Sequence, residues 1–339
     1  MAQPLLDIKD LVTVFPGNGR ESGASQQVAA VDGLDLQVQP GQVLGLVGES
    51  GCGKSLSALS VLGLVPQPGR VAGGSIVFDG EELLSAPSGR MRQIRGAEIS
   101  MVFQEPMTSL NPVFTVGRQV AELIRAHEET SASQAWARAE EMLAKVGIPE
   151  PARRAHSYPH QLSGGLRQRV MIAMALALSP RLVMADEPTT ALDVTIQAQI
   201  LGLMRALQEE SGAAFLLISH NLAVVAQMAA RVAVMYTGRL VEEAGVRELF
   251  GQPLHPYTRG LLACLPSRAV RHGEKLPTIP GVVPAPDDLP PGCAFSDRCP
   301  ERFAPCQEAE PALVEVAPGH RVRCFLHHDK ARQRERRAA

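Results

Sequence analysis

No run of this sequence is apolar for long enough to cross a membrane. A span needs about eighteen consecutive apolar residues, and the longest candidates, such as residues 170–178, fall well short of that. Charge of one sign is not in excess either. The 33 Lys and Arg stand against 35 Asp and Glu, a formal net charge of -2, so no basic face for nucleic acid is indicated. The arginines crowded near the end, Arg332, Arg334, Arg336 and Arg337, read as a solvated tail. The start carries Asp7 and Asp10 and lacks a basic leader, so no export signal is expected. A chain of this kind is expected to be cytosolic, or held by partners on the cytosolic face of a membrane. Aromatics are scarce, 4% of 339 residues, and no internal repeat is visible. Small aliphatics nevertheless lift the apolar fraction to 45%, enough for a large core, and the length suggests two domains. Cysteine is also sparse and unevenly spread: Cys52 and Cys264 stand apart, while Cys293, Cys299, Cys306 and Cys324 crowd the C-terminal region.

Against this plain background one octapeptide stands out. Gly48-Glu49-Ser50-Gly51-Cys52-Gly53-Lys54-Ser55 fits the pattern G-x-x-x-x-G-K-[ST], and it lies between the apolar run of residues 43–47 and a helical stretch over residues 56–62. Strand, glycine-rich loop and helix in that order are what a phosphate-binding loop requires. The bare pattern arises by accident in roughly 1% of chains this long; the bland alternative is a Gly-rich turn that caps a helix. As a phosphate loop, the backbone amides of residues 51–55 cradle the phosphates at the positive end of the helix. Lys54 then reaches the β- and γ-phosphates, and Ser55 ligates magnesium.

Around the loop the pattern alternates. Residues 5–15 and 28–38 read as strands separated by a flexible turn, and residues 75–80 and 98–103 as shorter ones. Residues 116–146 have helical periodicity, and the apolar runs 182–186 and 215–219 are buried strands beside long helical stretches. The expected fold is α/β: a mostly parallel sheet flanked by helices, with an antiparallel β part at the N-terminus. Composition shifts near Gly251 to a Pro-rich stretch. The expected organisation is therefore a main domain over residues 1–250, with a helical subdomain at about 105–178. A Pro-rich linker over 251–289 and a small Cys-rich accessory domain over 290–339 follow, the latter held by something other than a large core.

Four further segments carry chemistry. Asp186 and Glu187 end an apolar strand; in isolation they read as a solvated strand end, but downstream of a phosphate loop they suit a magnesium partner and a base that polarises water. Gln104 and His220 also end strands. Each alone reads as a surface or structural residue, and each gains meaning because strand ends on this edge of a sheet converge on phosphates. In Leu162-Ser163-Gly164-Gly165-Leu166-Arg167-Gln168-Arg169, Ser163 is a good N-cap and the glycines let an anion approach exposed amides; an ordinary capped helix is the alternative. One nucleotide does not readily occupy two helix starts so far apart in sequence, which implies that the second serves a neighbouring subunit's nucleotide.

Together these segments resemble the ATP-binding subunit of an ABC transporter, a P-loop NTPase, over about residues 5–250. The resemblance rests on the phosphate loop, the glutamine loop at Gln104, the signature segment from Leu162 to Gln168, Asp186-Glu187, Ala191-Leu192-Asp193 and the switch His220. One departure is Leu166, where many members of the family have Gln. The resemblance implies ATP and Mg2+ as cofactors, with Ser55, Gln104 and Asp186 around the magnesium and Glu187, Gln104 and His220 in catalysis. It also implies that Phe15 stacks on adenine and that Asp193 helps join two sites, in a pair of subunits whose phosphate loops face the partner's Ser163, Gly164 and Gly165.

Finer resemblance points to the oligopeptide/dipeptide importer branch, through residues 104–112, residues 253–258 and the stretch Gly292-Cys293-Ala294-Phe295-Ser296-Asp297-Arg298-Cys299-Pro300. It implies an ATPase peripheral to the cytoplasmic face of the inner membrane, powering peptide import. Its implied partners are a second, related ATPase in a heterodimer, two membrane-spanning permeases and an extracytoplasmic solute-binding protein, with no nucleic acid. Nickel, glutathione and antimicrobial-peptide importers share these motifs, and a soluble ABC ATPase acting on nucleic acid or the ribosome is a further alternative. The C-x5-C-x6-C-x17-C spacing lacks the C-x2-C pairs of structural zinc. By the resemblance, Cys293, Cys299, Cys306 and Cys324 hold a [4Fe-4S] cluster, with zinc or unliganded thiols as alternatives.

Overall fold

The computed structural model describes residues 3–17, 27–105, 109–190, 192–265 and 277–329. Residues 18–26 of the glycine-rich insertion after Phe15, the residues Pro106, Met107 and Thr108 of the glutamine loop, Ala191, and the arginine-rich tail lie outside them. The chain divides into two compact units interleaved in sequence.

One unit comprises Met1–Leu5, Val38–Val43 and Ser85–Ile218. Its sheet order is β8-β7-β6, from Ile99–Val102 (β6), Leu182–Asp186 (β7) and Ala214–Ser219 (β8). The pairing is parallel, with Val102 opposite Ala185 and Asp186 opposite Ile218. β7 and β8 are buried along their whole length, as continuous apolar runs require when helices cover both faces. The helical stretch expected over residues 116–146 is two helices, Val116–His127 (α3) and Ala132–Lys145 (α4). Ser131 separates them: it accepts from the amide of Gln134, whose side chain returns to the Ser131 amide, a capping box that begins a new helix. Val116, Val120 and Ile124 on α3, and Ala135, Ala139 and Leu143 on α4, recur every four residues and are buried. Ser88–Ala97 (α2), Gly164–Leu176 (α5) and Val194–Ser211 (α6) complete the unit's longer helices.

The other unit comprises Leu6–Gln37, Leu44–Leu84 and Ser219–Ala339. The antiparallel N-terminal part is a sheet of order β2-β1-β4-β5, formed by Leu6–Pro16 (β1), Gln27–Val38 (β2), Arg70–Phe78 (β4) and Glu81–Glu82 (β5). This unit's remaining strands, Val314–Ala317 (β11), His320–Val322 (β12), Arg239–Gly245 (β10), Arg231–Tyr236 (β9) and Val43–Val47 (β3), lie side by side in that order. Val43–Val47 (β3) pairs in parallel with Arg231–Tyr236 (β9), which turns back into Arg239–Gly245 (β10). Lys54–Val61 (α1) follows β3, Leu222–Met228 (α7) precedes β9, and Pro256–Ala263 (α8) falls inside the stretch expected to be a linker.

The separate Cys-rich domain is not supported. Val314–Ala317 (β11) and His320–Val322 (β12) extend the sheet through β10, with Glu242 opposite Val322. Phe295 is buried against Tyr236 and Tyr257. A segment with too few apolar residues for its own core has borrowed one. Among the described residues no helix is long and apolar enough to cross a membrane.

Candidate functional site

The phosphate loop owes its shape to its glycines. β3 is buried throughout, and Gly45 within it lets α7 pack closely: a Cβ there would lie 2.1 Å from Val225 Cγ1. Past the strand, a Cβ on Gly48 would stand 2.3 Å from the Met235 carbonyl oxygen and 2.7 Å from Cys52 Sγ. On Gly53, whose φ is +98°, it would stand 2.5 Å from the Ala30 carbonyl oxygen. Both positions exclude any side chain. Gly51, at φ +81°, has nothing within 4 Å of where its Cβ would be. That open concavity suits a ligand approaching the backbone.

Lys54 is buried and folds back over the loop, donating from Nζ to the carbonyls of Gly48 (2.8 Å) and Glu49 (2.9 Å). Its ammonium is thus held by carbonyl oxygens of the loop, which it can exchange for phosphate oxygens. No side chain caps α1 at Gly53, so the positive end of the helix is left to an anion. Ser55 is the second residue of that helix, and Ser50 lies in the turn that precedes it. Burial raises the Cys52 thiol even with Lys54 beside it, so Cys52 is a neutral packing residue. The donor set of this loop fits a nucleotide phosphate chain with its magnesium ion.

The loop has a further set of partners. Glu49 donates from its amide to Tyr257 Oη at 2.9 Å, and its carboxylate is gripped by Arg298. Neither Tyr257 nor Arg298 belongs to a phosphate-binding pattern, and sequence reasoning missed both.

In the other unit β7 delivers Asp186 and Glu187, both buried. At Glu187 the backbone turns to a φ of +46° while its amide donates to the Ile218 carbonyl at 2.9 Å. Glu187 Oε2 accepts from Gln104 Nε2 at 3.1 Å and from Thr190 Oγ1 at 2.8 Å. Gln104 and Glu187 are thus brought together, and Thr190 joins them; a threonine three residues after the glutamate carried no signal by itself. The arrangement fixes one carboxylate oxygen and its orientation, as a base acting on a water molecule needs.

Ser163 caps α5 as expected, its hydroxyl accepting from the Leu166 amide at 3.4 Å, and Ser163 and Gly164 are exposed. A Cβ on Gly165 would meet Ile196 Cγ2 at 2.8 Å, so the start of α5 lies close against α6. Asp193 caps α6, accepting from the Ile196 amide at 2.9 Å. His220 is exposed directly after β8. Phe15 is half-buried near the end of β1, its ring pressed against the backbone of Gly69.

Cys293, Cys299, Cys306 and Cys324 line one small cavity together with Phe295 and Phe325. Burial pushes the thiols of Cys293, Cys299 and Cys324 up, the last to about 12, so they are neutral unless a cation replaces their protons. Among the described residues no three His, Cys, Asp or Glu side chains form a group able to hold a metal ion. The expected [4Fe-4S] cluster and its zinc alternative are therefore not supported by a formed metal site.

Residues 31–190 match the family model described as ABC transporter, and residues 241–306 match that of the oligopeptide/dipeptide transporter C-terminal region. A Brucella melitensis protein named for peptide import and ATP binding is 51% identical over 334 residues, covering 95% of this chain and 97% of that one. The chain belongs to the ABC transporter ATPases, in the oligopeptide/dipeptide branch. The Bacillus subtilis oligopeptide transport ATP-binding protein AppD is 47% identical to this ABC ATPase over 329 residues, 96% of this chain and 98% of AppD. Among solved structures, a dimeric ATP-binding cassette in a post-hydrolysis state with ADP and Pi is 27% identical, with a TM-score of 0.62 over 71% of this chain and 99% of that one. The ABC match and the branch-specific one fall on either side of β9, so both kinds of sequence lie on one continuous chain.

Proposed function

We propose that this ABC ATPase hydrolyses ATP to power import of di- or oligopeptides from the cytoplasmic face of a cell membrane. The observation that carries the reading is the oligopeptide/dipeptide transporter region over residues 241–306, joined to a complete set of ABC motifs. Lys54 and the amides around Gly51 and Gly53 bind the phosphates; Ser55, Asp186 and Gln104 would be the residues to hold a magnesium ion, which when bound would neutralise charge on the phosphates. Glu187, steadied by Gln104 and Thr190, takes the proton of the attacking water, while His220 serves as the switch and Phe15 stacks on the adenine.

The partners are a second, related ATPase, two membrane-spanning permeases and an extracytoplasmic solute-binding protein. Two ATP molecules are held between the phosphate loop of one ATPase and Ser163, Gly164 and Gly165 of the other. That the similar solved cassette is dimeric supports a pair of ATPases. Closure of the pair drives the permeases from one state to the other, an allosteric coupling between two sites. The test is purification of the tagged chain from membranes. Permeases and a second ATPase are expected to accompany it, and a peptide-loaded solute-binding protein is expected to stimulate ATP turnover in vesicles. Recovery with ribosomes or nucleic acid instead would overturn the reading. Lys54→Ala, by removing the ammonium, is expected to weaken ATP binding itself.

We also assign the four C-terminal cysteines a stapling role, with a thiolate-held [4Fe-4S] cluster as its chemical form. The support is a cavity lined by all four thiols, together with a C-x5-C-x6-C-x17-C spacing that lacks the C-x2-C pairs of structural zinc. Protein purified without oxygen is expected to be brown, with about four irons per chain. Cys306→Ser is expected to bleach it. A colourless preparation with one zinc ion, or with no metal, would remove the cluster from this account.

A further inference from the structure

Arg298 lies in the short turn Ser296–Arg298, between Cys293 and Cys299, and its side chain is only 5% exposed. Its guanidinium donates from Nη1 to Glu49 Oε2 at 2.8 Å and from Nη2 to Glu49 Oε1 at 3.0 Å, the parallel two-bond geometry in which arginine and carboxylate pair most strongly. The rest of the group is fixed as well: Nε donates to the Pro280 carbonyl at 3.0 Å, and Nη1 also lies 3.4 Å from Tyr236 Oη.

Glu49 is the second residue of the phosphate loop, and each of its polar groups is engaged. The carboxylate pairs with Arg298, the amide donates to Tyr257 Oη at 2.9 Å, and the carbonyl receives Lys54 Nζ at 2.9 Å. The last contact is the one the lysine gives up when it turns to phosphate. Two residues from beyond the ATPase motifs therefore set the position of the peptide unit against which Lys54 rests.

The turn that carries Arg298 is itself tied to the thiol-lined cavity. Cys293 receives a hydrogen bond at its carbonyl from the Ser296 amide, and its own amide donates to the Cys306 carbonyl at 2.8 Å. A Cβ on Gly292 would stand 2.4 Å from that Cys306 oxygen, so the two strands of chain touch backbone to backbone. Backbone contacts thus link Cys306 to Cys293, and Cys293 to the turn that carries Arg298. We propose that Arg298 is a positioning residue for nucleotide binding, which clamps Glu49 and makes ATP affinity depend on the state of the C-terminal thiol site.

The proposal rests on the nucleotide reading of the loop, and the experiment separates the two. Dissociation constants for Mg-ATP are measured on the full chain, with melting temperature and hydrogen exchange over residues 48–53. Arg298→Gln is expected to weaken ATP about tenfold, the scale of one charge-assisted hydrogen bond, and to speed exchange in the loop. Arg298→Lys keeps the charge but not the fork, so it should recover only part of the affinity. Combined with Glu49→Gln, Arg298→Gln should cost no more than it does alone. Cys306→Ser should weaken ATP in the protein with Glu49 and leave affinity unchanged in the Glu49→Gln background. Fully additive losses, or a fall in melting temperature with ATP affinity intact, would overturn the clamp. A wild-type chain that binds no ATP would instead overturn the nucleotide reading beneath it.

Discussion

Replacement of Glu187 by Gln is expected to lower ATP turnover by roughly two to four orders of magnitude while ATP still binds. The substitution keeps the size of the side chain and an oxygen able to accept from Gln104 Nε2 or Thr190 Oγ1, so the local frame around residue 187 survives. What disappears is the basic oxygen. The positive φ at Glu187 and its amide bond to Ile218 belong to the backbone and are untouched, which keeps the loss a chemical one. The measurement is single-turnover hydrolysis in the assembled transporter, with nucleotide occupancy determined in parallel. Turnover near that of the unaltered protein would show that another group takes the proton.

Ser163→Arg is expected to abolish transport and most ATP turnover while the chain's own phosphate loop still binds nucleotide. Ser163 and Gly164 are exposed at the start of α5, and the serine hydroxyl caps the helix through Leu166. Loss of the cap costs about 1 kcal/mol, too little to unfold a domain of this size. The larger effect comes from a long cation placed on the surface that is proposed to meet a partner's nucleotide. Binding of a fluorescent ATP analogue to the isolated chain, set beside transport by the assembled complex, distinguishes the two effects. Normal transport by this variant would mean that the segment contacts no second nucleotide.

The phosphate loop was legible because its function is written in consecutive residues. Gly48 and Gly53 are fixed by contacts that exclude a Cβ, and Lys54 acts within a few residues of them. The place of Glu187 just past a buried apolar strand was legible for a similar reason. Its neighbour Thr190 was not, because threonine after a strand has many ordinary uses. The break between α3 and α4 was readable in principle: Ser131 followed by Gln134 is a helix start, but the run of helix-forming residues on either side obscured it. The C-terminal strands β11 and β12 were hidden by their size, four and three residues, too short for alternation to declare itself. Arg298 was hidden by distance, since its partner Glu49 lies 249 residues earlier in the chain.

The place of β12 beside β10 also determines how this protein tolerates being shortened. Glu242 in β10 is fully buried and receives hydrogen bonds from His320 Nε2 and the amides of Leu254 and His255. Burial would raise its pKa, yet these bonds hold it below the usual carboxylate range. A chain cut after residue 250 would strip that carboxylate of every one of these partners. The same cut would bare the hydrogen-bonding edge of β10, an open template for pairing with another molecule. The ATPase motifs end well before the C-terminus, but the sheet that β10 belongs to continues into β12 and β11.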